Sequence, residues 1–242
     1  MRKKIKIGFS EIGGIYIGDS IETNQHFNHT ITIAVSFSGK FAFWTNHQTI
    51  YSSGIIIQPH TTRKFKSLNK NYVGFIHISP YTKQGLKLIN KLETHRHLTD
   101  DQLKYIRETL SQWFIQTKNN QNITEEIIDK ISEKFGFKAS ISIDARIQKS
   151  MDFIRKSETT TLKEIADYIN LSKYRFSHLF RQETGMSYRE FVLQAKLIKS
   201  LQAIYNKQNL THSSYSGGFA DQAHFTRTYY KTFGILPSKS VK

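Results

Sequence analysis

The sequence predicts an α+β protein: a small antiparallel β-barrel at the amino end, helices after it, and an all-α carboxyl-terminal domain in which two helix-turn-helix motifs are joined by a linker helix. Three observations carry this expectation. Apolar residues alternate with a period of two between residues 5 and 78, the period lengthens to that of helices from about Thr82, and the last hundred or so residues hold a weak internal duplication.

In the first region Ile31, Ile33, Val35 and Phe37 alternate, Phe41 and Phe43 keep the period, and Ile55-Ile56-Ile57 stops at Pro59. Gly13-Gly14, Ser38-Gly39, Ser53-Gly54 and Asn69 to Asn71 punctuate the strands at the short intervals of a small antiparallel barrel or sandwich.

Helical spacing then takes over. Leu103, Ile106, Leu110, Trp113 and Phe114 share one face of a segment opened by Thr99 and Gln102, a threonine cap with a glutamine able to reach back to it. A second amphipathic segment starts at Asn122 or Thr124, is lined by Ile127, Ile128, Ile131 and Phe135, and ends at Phe135-Gly136-Phe137. The pattern breaks at Lys138 to Ile143, the expected interdomain linker. Beyond it a helix presents Ile147, Met151 and Ile154. Capping boxes at Thr161/Glu164 and Ser187/Glu190 start two more, the latter running to about Tyr205, about 28 Å at 1.5 Å per residue.

The duplication falls in this region. At an offset of 48, Leu162 superposes on Leu210 and Leu171 on Phe219; one residue more, and Phe176 meets Phe225, Phe180 meets Tyr229 and Gly185 meets Gly234. Each copy reads as helix, tight turn, helix, with Ser172 and Asp221 capping the second helices. In such a unit the first helix braces the second, whose amino-terminal residues enter the major groove. The outward residues of the first reader are Lys173, Tyr174, Arg175, Ser177 and His178, and those of the second are Gln222, His224, Thr226 and Arg227. Arg227 has the donors for guanine and Gln222 the donor and acceptor for adenine, Tyr174 suits thymine methyls, and His178 can donate to a base or a phosphate. Lys173, Arg175 and Lys231 suit phosphates.

Charge agrees with this chemistry. The chain carries 35 Lys and Arg against 19 Asp and Glu, net +16, and the excess is split: +9 over residues 1–97, −1 over 98–139 and +8 over 140–242. A polyanionic partner follows. With no cysteine, disulfides and thiolate metal sites are excluded. No run of about 18 apolar residues is present and no secretory leader is expected, so the expectation is a soluble, cytoplasmic protein.

These residues resemble the AraC/XylS family of transcription regulators. The resemblance runs over Leu162 to Pro237: Leu162-Lys-Glu-Ile165-Ala166 with Leu171-Ser172; Leu179-Phe180-Arg181-Gln-Glu183-Thr184-Gly185-Met186-Ser187; Gly218-Phe219-Ala-Asp-Gln-Ala-His224-Phe225-Thr226-Arg227; Tyr230-Lys231-Thr-Phe233-Gly234; and Pro237. Through Tyr51-Ser-Ser-Gly54-Ile-Ile-Ile-Gln-Pro59-His60 the amino-terminal third is similar to the family's cupin-like sensor. The resemblance implies a regulator that binds double-stranded DNA, acts as a homodimer, answers to a small-molecule effector and has RNA polymerase as a further partner, with no membrane. The implied organisation is a β-rich cupin-like sensor over residues 1–80, a helical dimerisation or connector region over 81–139, and a double helix-turn-helix DNA-binding domain over 140–242. One departure stands out: Ser213, Ser214 and Gly217 occupy positions that are apolar or alanine in the family, which predicts a weakened second brace that orders on DNA.

For the front half, His26, His29, His60 and His77 lie where a barrel could gather them, but no His-x-His with a following glutamate and distal histidine appears, so neither metal nor cofactor is expected. No nucleophile motif stands out, and no catalytic residue is assigned. The alternative of another class is a metal-dependent cupin-type enzyme fused to a DNA-binding domain. Inward aromatics among Phe37, Phe41, Phe43, Trp44, Phe65 and Phe75 line a ligand pocket in one reading and form plain core in the other; Arg63 and Lys64 suit an anionic effector or general attraction to DNA. The apolar face of Leu103 to Phe114 is either a dimer seam or a cover for the barrel.

Overall fold

Alternation builds eight strands before the first helix: β1 (Lys6–Phe9), β2 (Gly13–Asp19), β3 (Ile31–Ser36), β4 (Phe41–Thr45), β5 (Gln48–Ser52), β6 (Gly54–Ile57), β7 (Lys64–Ser67) and β8 (Tyr72–Ile78). A ninth, β9 (His95–His97), follows the short helix α1 (Lys83–Leu88). The structure, a computed structural model, describes residues 5–19, 21–45, 48–68, 71–89, 93–116, 120–136, 142–157 and 160–240. It divides into two compact units, Met1–Ile141 with Tyr229–Lys242, and Ser142–Thr228.

In the first unit the strands pair antiparallel into two sheets, in the orders β1-β2-β8-β3-β6-β9 and β5-β4-β7. The expected closed barrel gives way to this arrangement for a physical reason: the larger sheet is apolar on both faces and must be covered twice. Toward the smaller sheet it sends Ala34, Ile55, Ile57, Val73 and Phe75, which pack with Phe41, Phe43 and Phe65. From its other face Ile15, Ile17, Ile31, Ile33, Val35, Ile56, Ile76 and Ile78 meet α2 (Asp100–Ile115) and α3 (Gln121–Phe135). The triple isoleucine of β6 therefore serves both cores, with Ile56 turned one way and its neighbours the other.

Helix α2 opens on the expected capping box: Thr99 Oγ1 accepts from Gln102 N, and Gln102 Oε1 accepts from Thr99 N at 3.2 Å. Its apolar residues Ile106, Leu110 and Trp113 are buried against the larger sheet, so this face covers the sheet and is not a seam between copies. The next helix starts earlier than expected, at Gln121, because Asn120 caps it, its side chain accepting from Ile123 N at 2.9 Å. Of the expected linker, residues 138–141 lie outside the described residues.

The second unit is helical: α4 (Ala145–Lys156), α5 (Leu162–Tyr168), α6 (Lys173–Thr184), α7 (Tyr188–Tyr205), α8 (Leu210–Ser216) and the start of α9 (Gln222–Phe233). Residues of α9 from Tyr229 onward count with the first unit, as does the short α10 (Pro237–Ser240). Ile147, Met151, Ile165, Ala166, Phe176, Phe180 and Phe225 are fully buried. At about 1.5–3 kcal/mol for each large apolar side chain, such burial dominates the stability of helices this short.

Candidate nucleic-acid interface

The two helix pairs, α5–α6 and α8–α9, share a turn written in the same hydrogen bonds. After α5, Asn170 takes a left-handed φ of 55°, Asn170 N donates to Asp167 O at 3.1 Å and Leu171 N to Ala166 O at 2.9 Å. Forty-eight positions on, Gly218 has φ 81°, its amide donates to Tyr215 O at 2.8 Å and Phe219 N to Ser214 O at 3.0 Å. This is the six-residue closure that ends a helix by turning one residue left-handed. The following helix is capped by Ser172 in one copy, accepting from Arg175 N at 3.3 Å, and by Asp221 in the other, accepting from His224 N at 2.6 Å. The second copy is one residue longer between turn and cap, which is why the offset rises from 48 to 49.

The small residues of α8 have a packing reason. Ser213 and Ser214 are fully buried, and their hydroxyls return to backbone carbonyls, Ser214 Oγ to Thr211 O at 2.7 Å. A Cβ at Gly217 would stand 2.6 Å from Lys196 O, so only glycine lets the end of α8 lie this close to α7. The brace is small so that it can approach, and α8 is formed and capped by Asn209.

Inward and outward residues separate as their order on the helices demands. Phe176, Phe180, Phe225 and Tyr229 are buried. Lys173, Tyr174, Arg175 and His178 are exposed on α6, Tyr174 at 81%, with Ser177 half-buried. On α9 Gln222, Arg227 and Lys231 are exposed, while His224 and Thr226 are half-buried. His224 sets its ring edge-on to Phe219 at 5.1 Å, and Gln222 Oε1 accepts from the Thr211 hydroxyl at 2.5 Å. Gln222 is thus oriented by the preceding helix α8.

The sequence reading missed Arg146. A cleft of about 270 Å³ is lined by Arg146, Leu171, Tyr174, Arg175, His178 and Leu179, which adds the first turn of α4 to the exposed face of α6. Arg146 pairs with Asp144, Nη2 to Oδ2 at 2.7 Å, and hydrogen bonds from Arg146 hold that carboxyl down at about 2. A salt bridge this exposed holds Arg146 only weakly, leaving it able to turn to a phosphate. Its only signal in the sequence was an arginine two residues after a capping aspartate.

In the front half, Phe41, Phe43, Phe65 and Phe75 pack together between the sheets, with ring centroids 5.6 Å (Phe41–Phe65), 5.2 Å (Phe43–Phe65) and 5.1 Å (Phe65–Phe75) apart. Phe37 packs at the other core, and Trp44 lies under Lys64 Nζ at 5.3 Å. The histidines diverge: His29 and His60 meet through Nδ1 atoms 3.2 Å apart, His26 binds Asn24 O, and His77 binds Thr32 Oγ1. Among the described residues no three metal-ligating side chains gather.

Residues 165–242 match the family model of a helix-turn-helix domain. Over 79 residues the chain is 33% identical to the Msm operon regulatory protein of Streptococcus mutans, covering 32% of this chain and 28% of that one. Over 126 residues it is 28% identical to the arabinose operon regulatory protein of Escherichia coli K12, covering 49% and 42%. The chain thus spans less than half the length of either regulator. In fold it is similar to ToxT from Vibrio cholerae, with a TM-score of 0.61 at 14% identity over 99% of this chain and 97% of that one.

Proposed function

Since its carboxyl-terminal helix-turn-helix domain is of the AraC/XylS family, we propose that the chain is a sequence-specific DNA-binding transcription regulator with two readers, α6 and α9. The observation that carries the proposal is the repeated turn, which presents two helices with buried aromatic backs and polar, largely cationic fronts. The 18-residue α7 between them is about 27 Å long, on the scale of the roughly 34 Å between successive major grooves. Arg227 and Gln222 read base edges, Tyr174, Ser177, His178, His224 and Thr226 add contacts in the groove, and Lys173, Arg175, Lys231 and Arg146 fix register on phosphates.

The β-rich region over residues 1–80 serves as a cupin-like sensor, and residues 81–139, which lend β9 to the larger sheet, as connector. Support comes from ToxT, one structure of which holds an unsaturated fatty acid. Homodimerisation, contact with RNA polymerase and work in the cytoplasm belong to the same reading, with dimerisation through a surface other than the buried face of α2. No helix among the described residues is long and apolar enough to cross a membrane. Selection of bound sites from random duplex DNA tests the proposal: a shared motif should emerge with the wild type, and recovery of unenriched sequence would overturn it.

A further inference from the structure

One end of the layer between the two sheets holds a buried positive charge. Arg63, just before β7, faces His26 across an isolated antiparallel bridge, Arg63 N to His26 O at 2.8 Å and His26 N to Arg63 O at 2.9 Å. Its side chain is turned inward and is 1% exposed. Nη2 donates to Thr32 Oγ1 at 3.0 Å, while Nε and Nη1 have no hydrogen-bond partner. No acidic side chain among the described residues pairs with it. Thr32 Oγ1 is shared with His77 Nδ1 at 3.0 Å, His77 Nδ1 also meets Thr30 Oγ1 at 3.2 Å, and Thr30 Oγ1 donates to Asn28 Oδ1 at 2.9 Å. At the end of that chain Asn28, also 1% exposed, has a third orphan donor, Nδ2.

Buried guanidinium groups are paired as a rule, because an uncompensated charge and unmade hydrogen bonds are both strongly unfavourable in a low-dielectric interior. Here three orphan donors, on two side chains, sit on one polar network. The surroundings already answer to the charge: burial first and Arg63 second lower His26 to about 4 and His77 to about 3, so both rings are neutral near pH 7. Next to the network the lining turns apolar. His77 stacks on Phe75 at 6.2 Å and interplanar 6°, and Phe75 leads on to Phe65 and Phe43.

We propose that Arg63, with Asn28 and the His26–Thr32–His77 network, forms a binding site for a single-charged oxyanion, a carboxylate whose body lies against the neighbouring aromatic layer. One negative charge balances the one cation, and carboxylate oxygens accept from Arg63 Nε or Nη1 and from Asn28 Nδ2. The inference rests on reading the sheets as an effector sensor, and it names the effector's chemical class and the residue that holds it.

Calorimetric titration of the full chain, without DNA, tests it separately from DNA recognition. The probes are octanoate, its methyl ester and inorganic phosphate, against wild type, Arg63→Lys and Arg63→Met. Octanoate should bind the wild type, with the ester and Arg63→Met each at least tenfold weaker and Arg63→Lys between. Thermal unfolding should show Arg63→Met melting no lower than wild type without ligand, since it removes an unpaired charge. In histidine NMR titrations octanoate should raise the His26 and His77 pKa values. Octanoate failing to bind the wild type, phosphate binding through Arg63 in its place, or octanoate binding equally to Arg63→Met, would overturn it.

Discussion

Gly217 and Ser200 lie so close where α8 meets α7 that a Cβ on the glycine would fall 1.9 Å from the serine Oγ. The serine hydroxyl is buried without a partner, and the Lys196 carbonyl oxygen stands behind it, 2.6 Å from the same Cβ position. Gly217→Ala should therefore cost about 1–3 kcal/mol of unfolding free energy by forcing the helices apart. Ser200→Ala should leave stability unchanged or raised, and combining the two should not restore Gly217→Ala, because the backbone oxygen stays. Urea denaturation of the three variants decides; an innocuous Gly217→Ala would mean the helices part freely.

Arg227 and Lys173 differ in the contact each is suited to make. Loss of Arg227 in R227A should remove about 1–3 kcal/mol of discrimination at one base position, while Lys173→Ala should weaken all sequences alike and lower the salt slope by about one. Affinities measured on the selected site and on a scrambled one, over a range of salt, separate these outcomes. Salt-independent binding would contradict a phosphate-borne affinity.

Acid should destabilise the first unit through its buried histidines. Burial, with the Arg63 charge adding to it, lowers His26 to about 4 from its ordinary 6.5, so the folded form binds that proton less well than the unfolded chain. The resulting stability is fully present above about pH 6.5 and is lost as pH falls toward 4, about 3 kcal/mol for His26 alone. His77 shifts the same way and extends the loss to lower pH. Denaturation midpoints between pH 4.5 and 7.5 should rise with pH, and His26→Phe should flatten the slope. A slope unchanged by that substitution would sink the attribution.

Leu110 is fully buried in the core between the larger sheet and its helices. Leu110→Ala should cost about 2–5 kcal/mol through transfer and cavity. If copies associate, sedimentation of the folded variant should show the wild-type oligomeric state, since this face is spent inside the chain.

The carboxyl-terminal region was legible because its signals are local. Caps at Thr161, Ser172 and Ser187, the glycines at 185 and 234 and the buried phenylalanines all act within a few residues of themselves. The inward and outward sets of α6 followed from helical spacing alone. The front half was less legible because its decisions are non-local. Period two announces strands but cannot say whether a sheet closes on itself, and a fully buried strand such as Ile31–Ser36 hides which face meets which partner. Arg146 escaped notice because α4 comes beside α6 only in the folded unit, and the isolation of Arg63 cannot be read without its neighbours. The small residues of α8 read as weakness in one dimension, and their close approach to α7 shows only in three.

The extra residue that separates Gly218 from Asp221 also bears on how this protein can be re-engineered. One residue advances an α-helix by about 100°, so copying side chains from α6 onto α9 at a constant spacing of 48 would set Ser177 at the buried position of Phe225 and the buried Phe176 at the half-buried position of His224. A working transplant must change its register by one at Ala220, and the two readers cannot be exchanged as identical cassettes.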